Sequence, residues 1–178
     1  MRGDAALQAR LLLRPTGAAG AAVALGGVVA VVGAYRPWYA VTAELTMLGE
    51  DQRRAVAELP GWEAHPWGWL IPAVGVLAVA LGVAVAFDRP PRRTRPVLLL
   101  AGALLVGAAA LGAADRPPVD RFDIAGTRLR ELLDLTDRLP SGVELAFSVG
   151  VSDGVWVTLV AGLLTMVGAL CARELSWR

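Results

Sequence analysis

Polar and apolar positions are segregated along this chain instead of interleaved. Four stretches run for a membrane-spanning length without a charge: "GAAGAAVALGGVVAVVGAY" (17–35), "WGWLIPAVGVLAVALGVAVAF" (67–87), "PVLLLAGALLVGAAALGAA" (96–114) and "GVWVTLVAGLLTMVGALCA" (154–172). Each has about 20 residues, enough as a helix to cross a hydrocarbon core of about 30 Å. Lipid offers no partners to backbone N–H and C=O groups, so such runs predict helix. Pro72 falls near the start of the second run, where a missing N–H costs little. The pattern predicts an all-α membrane protein, a four-helix transmembrane bundle forming one domain over residues 1–178. Outer loops are expected at 36–66 and 115–153, with a short cytoplasmic connection at 88–95.

The two long connections carry patterns of their own. In the first, "EDQRRAVAEL" reads as a short helix that Pro60 follows. In the second, Leu129, Leu132, Leu133 and Leu139 fall mostly on one helical face, with Arg128, Arg130, Glu131, Asp134, Asp137 and Arg138 around the rest. Thr127 is the expected N-cap of this amphipathic helix, and Pro140 with Gly142 closes it. Its mixed charges disfavour simple binding to anionic lipid, so packing over the open end of the bundle is preferred. Beyond it, Val143, Leu145 and Phe147 alternate with Glu144, Ala146 and Ser148, as in a short strand. That strand is expected to pair with residues 40–47 as part of a small extracytoplasmic cap.

Composition supports the membrane class. Of 178 residues 56% are hydrophobic and the mean hydropathy is +0.54, above the roughly 45–50% apolar content of soluble domains. All 17 basic residues are arginine, and the Ala, Gly, Val and Leu content suggests a GC-rich, actinobacterial coding bias. Arg2, Arg10, Arg14, Arg89, Arg92, Arg93, Arg95, Arg173 and Arg178 sit at the ends and middle connection, with only Asp4, Asp88 and Glu174 as acids. The two long loops hold the other 8 arginines and 13 acids. Arginine bias therefore predicts a multi-pass plasma-membrane protein with both termini cytoplasmic. The first apolar run is longer than the usual 7–15 residues of a signal peptide, so an uncleaved span is expected. A net charge of +1 and no long basic stretch exclude nucleic acid as a partner. Cys171 is the single cysteine, so no intrachain disulfide can form.

With that orientation the aromatics gather on the outer side. Both tyrosines (Tyr35 and Tyr39) and five of the six tryptophans (Trp38, Trp62, Trp67, Trp69 and Trp156) lie there, and of the tryptophans only Trp177 lies opposite. One reading is an aromatic belt at the headgroup level. The other is a cup between the first, second and fourth spans, formed by Tyr35, Arg36, Trp38, Tyr39, Trp62, Glu63, His65, Trp67, Trp69 and Trp156. There Arg36 is expected to stack on a ring or pair with Glu63. His65, the one histidine, would titrate near pH ~6.5 in an exposed loop, and reads as a solvated or rim-bonded imidazole.

Small residues recur at four-residue steps in the spans: Ala22, Gly26 and Ala30; Ala78, Gly82 and Ala86; Ala103 and Gly107; Ala108 and Gly112; and, less regularly, Leu164, Gly168 and Ala172. Such stripes let helix backbones approach closely. No ionisable group lies within the spans, which disfavours a proton- or ion-coupled transporter working alone. Thr158 and Thr165 supply only hydroxyls that can bond their own helix, and Cys171 reads as a small apolar filler. Neither catalytic motifs nor metal-ligand clusters are present; Asp115, Asp120 and Asp123, interleaved with arginines, read as a solvated loop. The expectation is therefore a non-catalytic protein without cofactor or metal, acting as a subunit, scaffold or modulator through its outer loops. Its partners would be the lipid bilayer and a membrane protein or second copy. The alternative is a lipid, or an apolar or aromatic small molecule, bound or transported in the outer tryptophan-rich cup.

The stretches "YRPWYAV" (35–41), "LIPAVGVLAVALGVAVAFDRPPRRTRPVLLLAGALL" (70–105) and "LSWR" (175–178) resemble the actinobacterial tryptophan-associated transmembrane protein family. That resemblance implies a small four-helix membrane protein found beside tryptophan biosynthesis genes, and it implies no activity or site residue. The long second outer loop and the lack of an extended arginine–tyrosine tail depart from the family pattern. Four spans with outer-loop tryptophans are also similar to the claudin layout, without its disulfide cysteines.

Overall fold

The computed structural model describes residues 15–47, 50–87, 93–118, 122–124, 127–128 and 143–172. In chain order the elements are α1 (Pro15–Tyr35), β1 (Pro37–Met47), β2 (Glu50–Pro60), α2 (Gly61–Ala64), α3 (Leu70–Ala86) and α4 (Thr94–Ala114). They continue with β3 (Asp123–Ile124), β4 (Thr127–Arg128), β5 (Val143–Val151) and α5 (Asp153–Cys171). The chain is mostly helical, and α1, α4 and α5 are each long and apolar enough to cross a membrane. The second predicted span is shorter than its apolar run. Its helix has 17 residues, about 26 Å of rise, because Trp67–Trp69 form a turn ahead of Leu70.

Close packing of α1 against two neighbours organises the helices. Its Gly20 and Gly27 lie against α3, where a Cβ on Gly27 would stand 2.5 Å from the Gly75 carbonyl oxygen. On a second face, Gly26 and Gly33 meet the hydroxyls of Thr165 and Thr158 on α5, each 2.6 Å from a Cβ position. The pairs Gly20/Gly27, Gly26/Gly33 and Gly75/Gly82 are spaced seven residues apart, two turns of helix, and Ala30, Ala78 and Ala86 from the four-residue steps lie in the same seams. Both threonine hydroxyls are fully buried and donate to carbonyls one turn back, Gly154 and Ala161, at 2.9 Å. Helix α5 in turn packs on α4 through Gly102 and Gly162. Between α3 and α4, contacts are sparse, and among the described residues that seam stays open.

Outward surfaces of the helices are apolar. The most hydrophobic 18-residue windows of α1, α4 and α5 have mean hydropathies of 2.0, 2.4 and 2.0, yet only 50%, 33% and 44% of each is buried. Val28, Leu100, Leu104, Leu163 and Val167 are among the exposed side chains. Exposure of this kind is compatible with a membrane protein.

An antiparallel sheet of order β2-β1-β5 sits where α1 and α4 end and α3 and α5 begin, so the chain is not all-α. The helix expected at "EDQRRAVAEL" is instead β2, paired with β1 from Met47↔Glu50 to Pro37↔Pro60. Its Arg, Ala, Glu and Leu favour helix weakly, and pairing along a full strand outweighs that preference. The strand expected from the 143–148 alternation is β5, and it pairs with β1 through Tyr39↔Val151, Val41↔Val149 and Ala43↔Phe147. Val149, Val151 and Phe147 pack on the buried cluster, whereas Ala146 and Ser148 are exposed. Thr127 does not cap a helix but forms β4, opposite β3. The rest of the expected amphipathic helix, 129–139, lies outside the described residues.

Candidate functional site

The ten aromatic and polar residues expected in one cup separate into two groups. Trp38 and Tyr39 are fully buried, with His65 and Trp67 half-buried beside them. Tyr35, Trp62, Trp69 and Trp156 are exposed, as are Arg36 and Glu63. Tyr35 and Trp62 do approach one another at 6.3 Å between ring centroids, on the outer surface.

Two consecutive strand residues normally face opposite sides. Trp38 and Tyr39 both reach the interior because the β1–β2 register is broken between Pro37 and Tyr39, a bulge that re-aims a side chain. The Trp38 indole then fills a slot walled by three glycines from separate elements. A Cβ on Gly112 of α4 would lie 2.5 Å from Cζ3, one on Gly154 of α5 2.6 Å from Cδ1, and one on Gly61 of α2 would strike Nε1. The indole N–H donates to the Gly33 carbonyl at 3.0 Å, satisfying an acceptor left without a helical partner at the end of α1. Burial of this ring ties α1, α2, α4 and α5 to the sheet.

Tyr39 supplies the polar counterpart. Its hydroxyl donates to the Gly112 carbonyl at 2.6 Å, lies 3.2 Å from the Asp115 carbonyl and stands 3.0 Å from His65 Nε2. A phenol has one proton; with that proton on Gly112, its oxygen is the acceptor for His65 in the tautomer that carries a hydrogen on Nε2. His65 stacks on Trp67 at 4.6 Å and 7° between ring planes, and Trp67 meets the Trp38 ring edge-on at 6.3 Å. Burial first, and the Asp115 carboxylate second, push the Tyr39 phenol up to about 12. The phenol therefore stays neutral and serves as a tie.

Arg36 pairs with neither Glu63 nor a ring. It faces Asp153, in the first turn of α5, at 3.6 Å. Both alternatives expected for Arg36 give way because β1 brings the end of α1 beside the start of α5, where Ser152 N–H donates to the Trp38 carbonyl at 2.7 Å.

Among the described residues, a concavity lies between the second and third spans. A cavity of about 320 Å³ opens along the α3–α4 seam. Trp67, Ile71 and Val74 line one wall, and Leu104, Gly107 and Leu111 the other. Only Trp67 belongs to the expected cup. A Cβ on Gly107 would meet nothing within 4 Å. The Ala103–Gly107 step was legible in sequence, but nothing there separated an open stripe from a packed one. Among the described residues no cluster of three or more metal-ligating side chains occurs. No protein-family model matches this chain, and no curated protein matches it either, so the family resemblance rests on the residues quoted for it.

Proposed function

We propose that this chain is a non-catalytic integral membrane protein of the plasma membrane, crossing the bilayer four times with both termini cytoplasmic and the sheet outside. It acts as a subunit, scaffold or modulator whose contact surface is the outer sheet. The observation that carries this reading is the pairing of outward-apolar helices, charged only at Arg95 and Asp153 in the first turns of α4 and α5, with an ordered sheet at one end. In lipid the exposed Val and Leu side chains need no further cover, and α3, with the Trp67–Trp69 turn, completes a fourth crossing. Trp69, Trp156, Trp62 and Tyr35 then serve as headgroup anchors at the sheet end. The resemblance to tryptophan-associated transmembrane proteins fits the same layout.

The sheet offers the contact surface because Gln52, Arg53, Arg54 and Ala55 are all exposed in β2, as is Ser148 in β5, and β2 and β5 flank β1. Photo-crosslinking from Gln52 and Ser148 in intact cells tests it. A discrete adduct with one membrane protein, or with a second copy, is expected; exclusive lipid or solvent adducts from both positions would contradict the scaffold reading. A second reading, a lipid or apolar molecule held by the protein, is favoured by the α3–α4 cavity.

A further inference from the structure

We infer that the α3–α4 seam is a binding site for one acyl chain of a phospholipid from the leaflet on the sheet side. The inference rests on the membrane-spanning reading and moves the ligand site from the outer aromatics to this groove. Three seams of the helix array are closed by glycines set against a neighbouring backbone; the fourth is not. Its walls are apolar from end to end, with Leu70, Ile71 and Val74 facing Leu104, Gly107 and Leu111. A hydrocarbon occupant satisfies such a lining, whereas a polar solute would forfeit its hydrogen bonds there.

Size and position select the acyl chain over a partner helix. The α4 wall runs from Ala103 to Leu111, about 12 Å at the helical rise. A transmembrane helix is about 20 residues long and about 10 Å wide. A cavity of about 320 Å³ sits at the lower end of small-ligand pockets and holds a chain, not a helix. The groove occupies the first turns of α3 and the last half of α4, both next to the sheet. A chain entering from that leaflet therefore fills it while its headgroup stays at the level of the Trp67–His65 stack. Gly107 provides the depth, since its missing side chain is replaced by no other atom.

The test uses the full chain in detergent micelles, titrated with phosphatidylcholine carrying brominated acyl chains. Bromine quenches nearby indoles, and the difference between the native chain and Trp67→Phe isolates the groove. Quenching of Trp67 is expected to saturate, and Gly107→Leu, whose Cβ would meet nothing within 4 Å, is expected to weaken the saturating phase at least about tenfold with unchanged thermal stability. Should Gly107→Leu misfold, Ala103→Phe fills the same space from an exposed position. Quenching that rises linearly, or that is the same in the filled variants, overturns the inference. Failure of the membrane-spanning reading shows separately, as extraction of the chain from membranes by alkaline carbonate.

Discussion

The Tyr39 hydroxyl donates to the Gly112 carbonyl across 2.6 Å, joining the central strand of the sheet to the last turn of α4, 73 residues away. Removing the hydroxyl leaves that carbonyl without its partner. Tyr39→Phe is expected to cost about 1–3 kcal/mol, read as a lower midpoint of thermal unfolding in micelles. An unchanged midpoint would mean that water or another group replaces the phenol.

The same phenol gives a pH dependence of known sign. Its folded-state value is raised to about 12 from the 10.0 of an unperturbed tyrosine, so the folded state holds the proton more tightly. The stability tied to the neutral phenol is fully present below pH ~10 and is lost as pH rises towards ~12. Native protein should lose stability across that window relative to Tyr39→Phe, with phenolate absorbance from Tyr39 appearing late.

Trp38 and its glycine walls form one unit. Gly112→Ala places a methyl group against the indole and should destabilise by about 1–3 kcal/mol. In a Trp38→Leu background the slot is only partly filled, and the same substitution should cost at least about 1 kcal/mol less. A double-mutant cycle measures this directly; additivity would separate the glycine from the ring.

By contrast, the Arg36–Asp153 pair is exposed on both sides, at 59% and 55%, and its groups are 3.6 Å apart. Arg36→Gln should shift stability by less than about 1 kcal/mol, and the shift should disappear in high salt. A larger loss would give Arg36 a role beyond the pair.

Seam packing predicts a sharper loss. Gly27→Leu would drive a side chain into the backbone of α3, where Gly75 and Val79 already touch. It should cost about 3 kcal/mol or more, whereas Gly107→Leu on the open seam should cost little.

How much of this was legible in the sequence depends on the range of the interaction. Apolar runs mark the helices to within a few residues, because one side chain after another carries the signal. The alternation at 143–148 marks β5, and residues 40–47 mark its partner, for the same reason. β2 was not legible as a strand, since Arg53, Arg54, Ala55 and Glu58 suit a helix and only pairing with β1 decides otherwise. Nor was the Trp38 slot. Its glycines lie at 61, 112 and 154, and nothing local connects them to residue 38. The bulge that turns Trp38 and Tyr39 inward together breaks the period-two rule, so sequence left both rings between belt and cup. The open seam depends on which neighbours each helix chooses, and composition rich in Ala and Gly offers too many equal candidates.

The four-crossing topology is tested most directly by the side of the membrane that each connection occupies. In a Cys171→Ala background, single cysteines at Gln52 in β2 and at Asp88 in the arginine-rich connection are labelled in intact cells with a membrane-impermeant maleimide. Gln52→Cys is predicted to react at once, and Asp88→Cys only after the membrane is permeabilised. Equal reaction of both sites from outside, or of neither, would contradict a chain that crosses the bilayer between them.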